Sequence, residues 1–160
     1  MDAEKLKGMA VVSIADGARL GRIKDVYFDT KALRVVSFRV SGEGPDVVLA
    51  LDDVRNVGAD AVTVDNSRVT QVINKGDTSA SLPELGQMKS LKVVDETGTF
   101  LGTVKIIDVE AATGQIVSMG AQKGGVLGLG GTTTTIGVGR IRSIGRDILT
   151  ISVDDPGPPG

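Results

Sequence analysis

Apolar and polar residues alternate over short stretches of this chain, and turns containing Gly and Asp separate the stretches. A period of two is typical of strands that bury one face. In the first half the pattern predicts strands over residues 9–14, 19–28, 33–40, 46–51, 55–57 and 61–65. Asp16-Gly17 and Gly58-Ala59-Asp60 carry the residue types of hairpin turns. Five or six short strands in so short a segment predict a small closed or half-closed β-barrel.

The second predicted strand does not keep the period of two. Its apolar positions are Leu20, Ile23, Val26 and Phe28, and Gly21 follows the first of them. A β-bulge explains the steps of three, because one extra residue shifts the inward phase and lets a strand curl around a barrel. A short helix is the alternative, but the glycine and the β-branched neighbours favour the bulge.

The pattern occurs twice along the chain. Gly17-x-x-Leu20-Gly21-x-Ile23-Lys24 returns as Gly98-x-x-Leu101-Gly102-x-Val104-Lys105, and Val54-Arg55-x-Val57-Gly58 returns as Ile141-Arg142-x-Ile144-Gly145. Matched residues are 81 positions apart in the first part of the pattern and 87 apart in the second, so the second copy carries extra residues in one loop. A repeat of this kind fixes the architecture before any propensity argument.

The repeat predicts the domain organisation. We expect a first domain over residues 1–70, a linker over 71–87, a second domain over 88–155 and a disordered tail over 156–160. Within the linker, residues 82–86 predict one helical turn with Pro83 near its start. Units of this size are marginally stable alone, so the two copies should pack together or the chain should oligomerise.

Each copy should have a core of its own, built from its inward-facing apolar residues. The first core is predicted to contain Val12, Leu20, Ile23, Val26, Val36, Phe38, Leu49, Leu51, Val57 and Val62. Its twin is predicted to contain Val93, Leu101, Val104, Ile107, Val117, Met119, Ile136, Val138, Ile144 and Leu149.

Composition narrows the chemistry. The chain has 160 residues and contains no Cys, His or Trp. It therefore has no thiol nucleophile, no disulfide, no histidine base and none of the commonest transition-metal ligands. We expect no catalytic residues, no cofactor and no metal site, although the carboxylates would chemically allow a Mg²⁺ or Ca²⁺ site. The net charge of -2 and the pI near 5.1 disfavour nucleic acid as a partner. A polar N-terminus without an apolar segment, and no apolar run long enough for a bilayer, predict a cytoplasmic protein with no transmembrane segment.

These residues resemble a known family. Asp16-Gly17-x-x-Leu20-Gly21-x-Ile23-x-Asp25-Val26, followed by Leu49-x-Leu51-x-Asp53-Val54-x-x-Val57-Gly58-x-Asp60, is similar to the PRC-barrel domain. That domain is found in the cytoplasmic part of the photosynthetic reaction-centre H subunit and at the C-terminus of the ribosome maturation factor RimM. The resemblance implies an all-β fold of two tandem small PRC-like β-barrels, each of five to six antiparallel strands.

The family resemblance implies a non-catalytic protein-interaction or assembly module. The implied partner is another protein or a second copy of this chain, a homodimer included. Two alternatives stay open. One is an RNA- or ribosome-associated factor, by resemblance to RimM. The other is a peripheral component of a photosynthetic or other membrane complex, by resemblance to the H subunit.

Positions at which the copies differ are the ones freest to serve a partner. The second copy gains the glycine-rich loop 124–131, whose apolar residues Val126, Leu127 and Leu129 are candidate contacts. The loop has glycine spacing like that of a phosphate-binding loop but lacks the lysine. Arg140 and Arg142 alternate on a predicted strand and are candidates to orient an acidic partner.

Overall fold

The computed structural model consists of two β-sheets, one from each copy of the repeat, and it describes residues 1–72, 82–124 and 131–153. The first copy contains β1 Ala10–Ser13, β2 Arg19–Asp29, β3 Arg34–Ser41, β4 Val47–Ala50, β5 Val54–Val57, β6 Ala61–Val64 and β7 Thr70–Val72. The second copy contains helix α1 Leu85–Met88 and strands β8 Lys92–Asp95, β9 Phe100–Val109, β10 Ile116–Lys123, β11 Thr132–Gly137, β12 Ile141–Ile144 and β13 Ile148–Ile151. Short 3-10 helices cover Ala3–Leu6, Leu51–Asp53, Ser67–Val69 and Val138–Arg140. The predicted all-β tandem fold is confirmed.

The two sheets share one strand order. The first runs β5-β6-β1-β2-β3-β4-β7 and the second runs β11-β10-β9-β8-β13-β12, which is the same order read from the other edge. Two details differ from the prediction. The first strand of each copy pairs in parallel with a strand near the end of the same copy, β1 with β6 and β8 with β13. The first sheet also has a seventh strand, β7, which pairs antiparallel with β4.

The predicted bulge is present in both copies. Val11 pairs with Gly21 and Val12 pairs with Arg19, so Leu20, which lies between Arg19 and Gly21, has no partner and is the extra residue of the bulge. The same shift occurs where Val94 pairs with Phe100. Both bulge glycines, Gly21 and Gly102, have positive φ, 156° and 133°. A side chain at either would overlap the backbone of the neighbouring strand, so the close approach of the strands requires glycine.

The predicted burial of Val12 is wrong, because the two copies slip by one residue at the first turn. Val11 is buried and Val12 is half-buried. In the first copy Gly17 N donates to Ser13 O across four residues, whereas in the second Gly98 N donates to Asp95 O across three. The first turn therefore contains one more residue, and Val93 is equivalent to Val11 rather than to Val12.

A second bulge corrects the predicted burial of Val36 and Val117. Tyr27 pairs with Ser37 and Phe28 with Val35, which leaves Val36 unmatched, and Val117 is unmatched in the same way between Ile116 and Ser118. The inward residue is consequently Val35 in β3 and Ile116 in β10, both buried. Val36 is half-buried, and Val117 is 52% exposed.

One continuous hydrophobic cluster fills both copies, where two separate cores were predicted. Most of the remaining predicted core residues are buried in it. A minority are only partly buried and pack against its margin: Leu20, Val57, Leu101, Val138 and Ile144. Leu6, Leu85, Met88 and Leu91, from the segments that lead into each copy, are also buried in the cluster and help to make it continuous.

The segment that precedes each copy docks on the other copy. Val109 N donates to Met1 O at 2.8 Å, and Phe28 N donates to Pro83 O at 2.9 Å. These two bonds are equivalent under the repeat, since Phe28 and Val109 occupy matching ends of β2 and β9. The predicted helical turn after Pro83 is displaced to Leu85–Met88, because Glu84 caps the helix and so begins it later.

The two central hairpins also exchange hydrogen bonds. Val35 N donates to Gly114 O and Ile116 N donates to Leu33 O, both at 2.8 Å. Gln115 Nε2 adds a bond to Leu33 O at 2.9 Å. The reciprocity is that of two copies facing each other about an approximate two-fold axis, the symmetry of most homodimers. The expectation that the copies pack together is confirmed.

Candidate functional site

The outer face of the second sheet is where the two copies differ most. Strand pairing puts Ile106, Gly120 and Thr135 in one row across β9, β10 and β11. The equivalent row of the first sheet carries Asp25, Arg39 and Val48, with Gln71 of β7 after them. The copies thus share a scaffold but present different chemistry at matching positions.

Charged side chains hold one another on the first face. Arg39 Nε donates to Asp46 Oδ2 at 2.8 Å, and Lys24 Nζ lies 3.6 Å from the same oxygen. The hydrogen bond from Arg39, reinforced by Lys24, lowers the pKa of the Asp46 carboxyl. Asp25 lies 3.9 Å from Lys7. This face is polar, and its charges have partners within the chain.

Among its described residues the second face is less charged, and Asp108 accepts a long hydrogen bond from Ser118 Oγ at 3.5 Å. The Ile106 side chain is 42% exposed and lies over Gly120, where an added Cβ would be 3.4 Å from Ile106 Cβ. Thr133 and Thr135 of β11 are exposed on the same side. We call Ile106, Val117, Thr133 and Thr135 the second-copy face. Its members are uncharged, and its two apolar side chains are about half exposed, which is typical of surfaces that contact another molecule.

Strand β11 also forms an edge of its sheet. It pairs with β10 over Thr132–Gly137 without a register shift. Its other side has no strand partner among residues 1–72, 82–124 and 131–153. Half of the N–H and C=O groups of an edge strand point outward and can pair with an added strand.

The predicted contact residues lie elsewhere. Arg140 ends a 3-10 helix and Arg142 lies in β12, so they do not alternate on one strand as predicted. The Arg140 guanidinium donates to Ser152 O at 2.9 Å and to Val153 O at 3.0 Å, and thereby ties the end of β13 to the helix. Arg142 Nε donates to Glu96 Oε1 at 3.0 Å. Both cations therefore have partners within the chain.

The loop prediction falls on residues that the structure does not describe. Val126, Leu127 and Leu129 lie outside the described residues, and their role stays a prediction. The base of the loop is described. Gly124 and Gly131 both have positive φ, and a side chain at Gly131 would lie 2.8 Å from Gly124 O. The hairpin thus enters and leaves the loop through positions that favour glycine.

Carboxylate and basic groups elsewhere do not assemble a second site. The part of the chain that the structure describes holds no cluster of three or more potential metal-ligating side chains. A groove of about 800 Å³ beside β2 is lined by Arg19, Arg22 and Lys24, among others. Arg22 donates to Gly8 O and Lys24 approaches Asp46, so two of its three cations are already engaged. In the described ranges, no helix has the length and apolar character needed to cross a membrane.

The residues of the second-copy face were not among the predicted contacts. The sequence holds two signals for them. One is the replacement of Asp25 by Ile106 at a matched position, and the other is the run of four threonines, 132–135. The differences between the copies predicted the loop and the arginines as contacts but not this face. Burial and strand order are needed to show which of the differing residues lie side by side at the surface.

Comparison with known proteins agrees with this architecture. The model of the PRC-barrel domain matches the chain twice, over residues 1–71 and 84–155. The chain belongs to the PRC-barrel family. An uncharacterized protein of Clostridium acetobutylicum is 29% identical over 72 residues, which cover 40% of this chain and 83% of that relative. That relative is thus little longer than a single copy of the repeat.

Proposed function

We propose that this PRC-barrel protein is a non-catalytic protein-interaction or assembly module, and that the second-copy face is its contact surface. The observation that carries the proposal is the asymmetry between the copies. The first face is charged and internally paired, while the equivalent second face exposes Ile106 in place of Asp25 and ends at an edge that no strand of the described residues covers.

Positions that match between the copies have a structural role, and positions that differ are available for contact. Matched positions, such as the bulge glycines and the inward residues of β2 and β9, hold a common scaffold. The row Asp25–Arg39–Val48 became Ile106–Gly120–Thr135 without disturbing that scaffold. Removal of charge from such a row lowers the cost of covering it with another protein.

The test compares capture of partners by variants of the full-length chain. Ile106→Asp installs in the second copy the residue type that the first copy carries at the same place. Ile14→Asp makes the same change at an exposed isoleucine in the first turn, 51% accessible, and is the matched control. Both variants should melt at the wild-type temperature.

We expect Ile106→Asp to reduce capture by about tenfold or more in cross-linking pull-downs from the native cell, because a buried unpaired carboxylate is costly at an interface. Ile14→Asp should capture as the wild type does. Equal capture by all three proteins would overturn the assignment of this face.

A further inference from the structure

We propose that β11 pairs with β11 of a second copy of this chain, antiparallel and about a two-fold axis, so that two second-copy sheets become one continuous sheet. The inference goes beyond the proposed function, since it concerns the open edge next to the second-copy face and names a second copy of this chain as the partner of that edge. Three observations support it. The four sheet edges differ in their protection, the first copy covers the equivalent edge with a strand, and the outward-facing residues of β11 alternate so that they can meet across a two-fold axis.

The four sheet edges of the described residues are protected unequally. β5 and β12 each have four residues, a register shift and an exposed arginine, Arg55 or Arg142. β7 has only three residues. Short length, bulges and charges are the devices by which proteins prevent edge strands from pairing with other chains. β11 has none of them, because it has six uncharged residues in unbroken register with β10.

The first copy demonstrates that this edge accepts an antiparallel strand. Leu49 and Ile136 are equivalent, since each pairs with the matching residue of the preceding strand, Phe38 or Met119. In the first copy, β7 covers the edge by pairing with Val47–Leu49. The positions equivalent to Thr70–Val72 in the second copy are Gly157, Pro158 and Pro159. Those positions lie outside the described residues.

A second copy of β11 fits the edge. A two-fold axis perpendicular to the sheet keeps solvent-facing residues on the solvent face, so Thr133 and Thr135 must meet exposed threonines of the partner. In the register centred on Thr134, Thr133 lies opposite Thr135 of the partner, and by symmetry Thr135 lies opposite Thr133 of the partner. Threonine pairs are favourable across antiparallel strands, and the absence of charge in β11 means that the symmetry brings no like charges together.

A ladder of five residue pairs buries less surface than a typical stable interface. The association should therefore be reversible, with dimers forming at roughly tens to hundreds of micromolar chain. Sedimentation velocity of the full chain over a concentration series would measure it directly.

Charge reversal on β11 tests the pairing itself. The variants Thr133→Lys/Thr135→Lys and Thr133→Glu/Thr135→Glu place like charges directly across the two-fold, and each should stay monomeric. Mixed in equal amounts, they should form a heterodimer at least as readily as the wild type self-associates. Both substituted positions carry exposed side chains, so the thermal unfolding temperatures should stay close to that of the wild type.

Asn56→Lys is the matched control, since it adds a lysine to the exposed side of β5, an edge strand of the other sheet. It should associate as the wild type does. Association that survives both double variants, or that the mixture fails to restore, would overturn the pairing. A wild-type chain that stays monomeric to about millimolar concentration would also overturn it. The proposed function is tested separately, by whether Ile106→Asp abolishes capture of a different protein.

Discussion

At the scale of single residues, small changes of phase decide which side chains reach the surface. Val35-Val36 and Ile116-Val117 are adjacent apolar pairs, and alternation alone does not say which member is inward. The bulge opposite Phe28 and Val109 decides it. Ile116 is buried, and Val117 becomes part of an exposed face.

Substitution of the two neighbours by alanine should separate their roles. Ile116→Ala should lower the free energy of unfolding by about 2–5 kcal/mol, because it empties space in a fully buried site. Val117→Ala should cost less than about 1 kcal/mol, since the side chain is half exposed and only strand propensity is lost. Urea unfolding of both variants measures the difference. Equal costs would contradict the bulge at Val117.

At the scale of strands, a positive-φ glycine at the bulge lets β2 and β9 cross their neighbours closely enough to curl the sheets. Gly21 and Gly102 serve the same purpose in the two copies. The sequence marks both by the step of three between apolar residues, which is why the bulges were predictable. The open edge of β11 belongs to the same scale, since it exists only because no other strand of the described chain covers it.

Two glycine substitutions in the second copy should differ in cost. Gly98→Ala should destabilise by about 1–2 kcal/mol, since φ is 88° but the space around the position is open. Gly102→Ala should cost about 3 kcal/mol or more, because its Cβ would also lie 2.6 Å from Gln122 O and the strands must move apart. Thermal or urea unfolding compares them. A smaller cost at Gly102 than at Gly98 would show that the close approach is not required.

At the scale of the whole molecule, the two copies behave as an internal dimer. Each lends its leading segment to the other, and the hairpin bonds between Leu33, Val35, Gly114 and Ile116 are reciprocal. Glu84, the residue that caps α1, bridges to Tyr27 of the first copy and faces Asp25. This contact makes the junction sensitive to pH.

The Asp25 carboxylate, with a further contribution from burial, raises the pKa of Glu84 above its ordinary value of 4.5. A raised carboxyl pKa means that the folded state holds the proton more tightly than the unfolded state. Its contribution to stability is therefore fully present below about 4.5 and is lost as pH rises through the folded pKa. Above that pH, two carboxylates repel each other at the junction.

Glu84→Gln keeps an oxygen acceptor for the helix cap but removes the charge. We expect the variant to be more stable than the wild type at pH 7, within the roughly 0.2–1 kcal/mol of exposed charge pairs, and the advantage to disappear near pH 4. Unfolding free energies at the two pH values measure the change. Asp25→Asn, which removes the other charge, should show the same trend. A variant that gains stability only at low pH would refute the assignment.

The all-β class, the tandem repeat, most strand positions and the bulge at Leu20–Gly21 could be predicted from the amino-acid sequence, because alternation, glycine placement and repetition are local properties. The sequence also determined which residue types were available for chemistry. Whether Val36 and Val117 face the core could not be predicted, since a bulge depends on the neighbouring strand. The burial of Val12 was mispredicted for a similar reason, because a first turn that is one residue longer leaves the sequence motif on either side unchanged.

Three features could be seen only once the chain was folded. The copies share one core, Arg140 and Arg142 contact Ser152, Val153 and Glu96, and Ile106 and Thr135 share a face. Each of these features depends on contacts between residues far apart in sequence. Two chains with the same local pattern of apolar and polar residues could form different long-range contacts. The open edge is the clearest case. A run of threonines predicts a strand, but the order of strands in the sheets is needed to show that β7 covers the outer side of β4, whereas no strand of the described residues covers that side of β11.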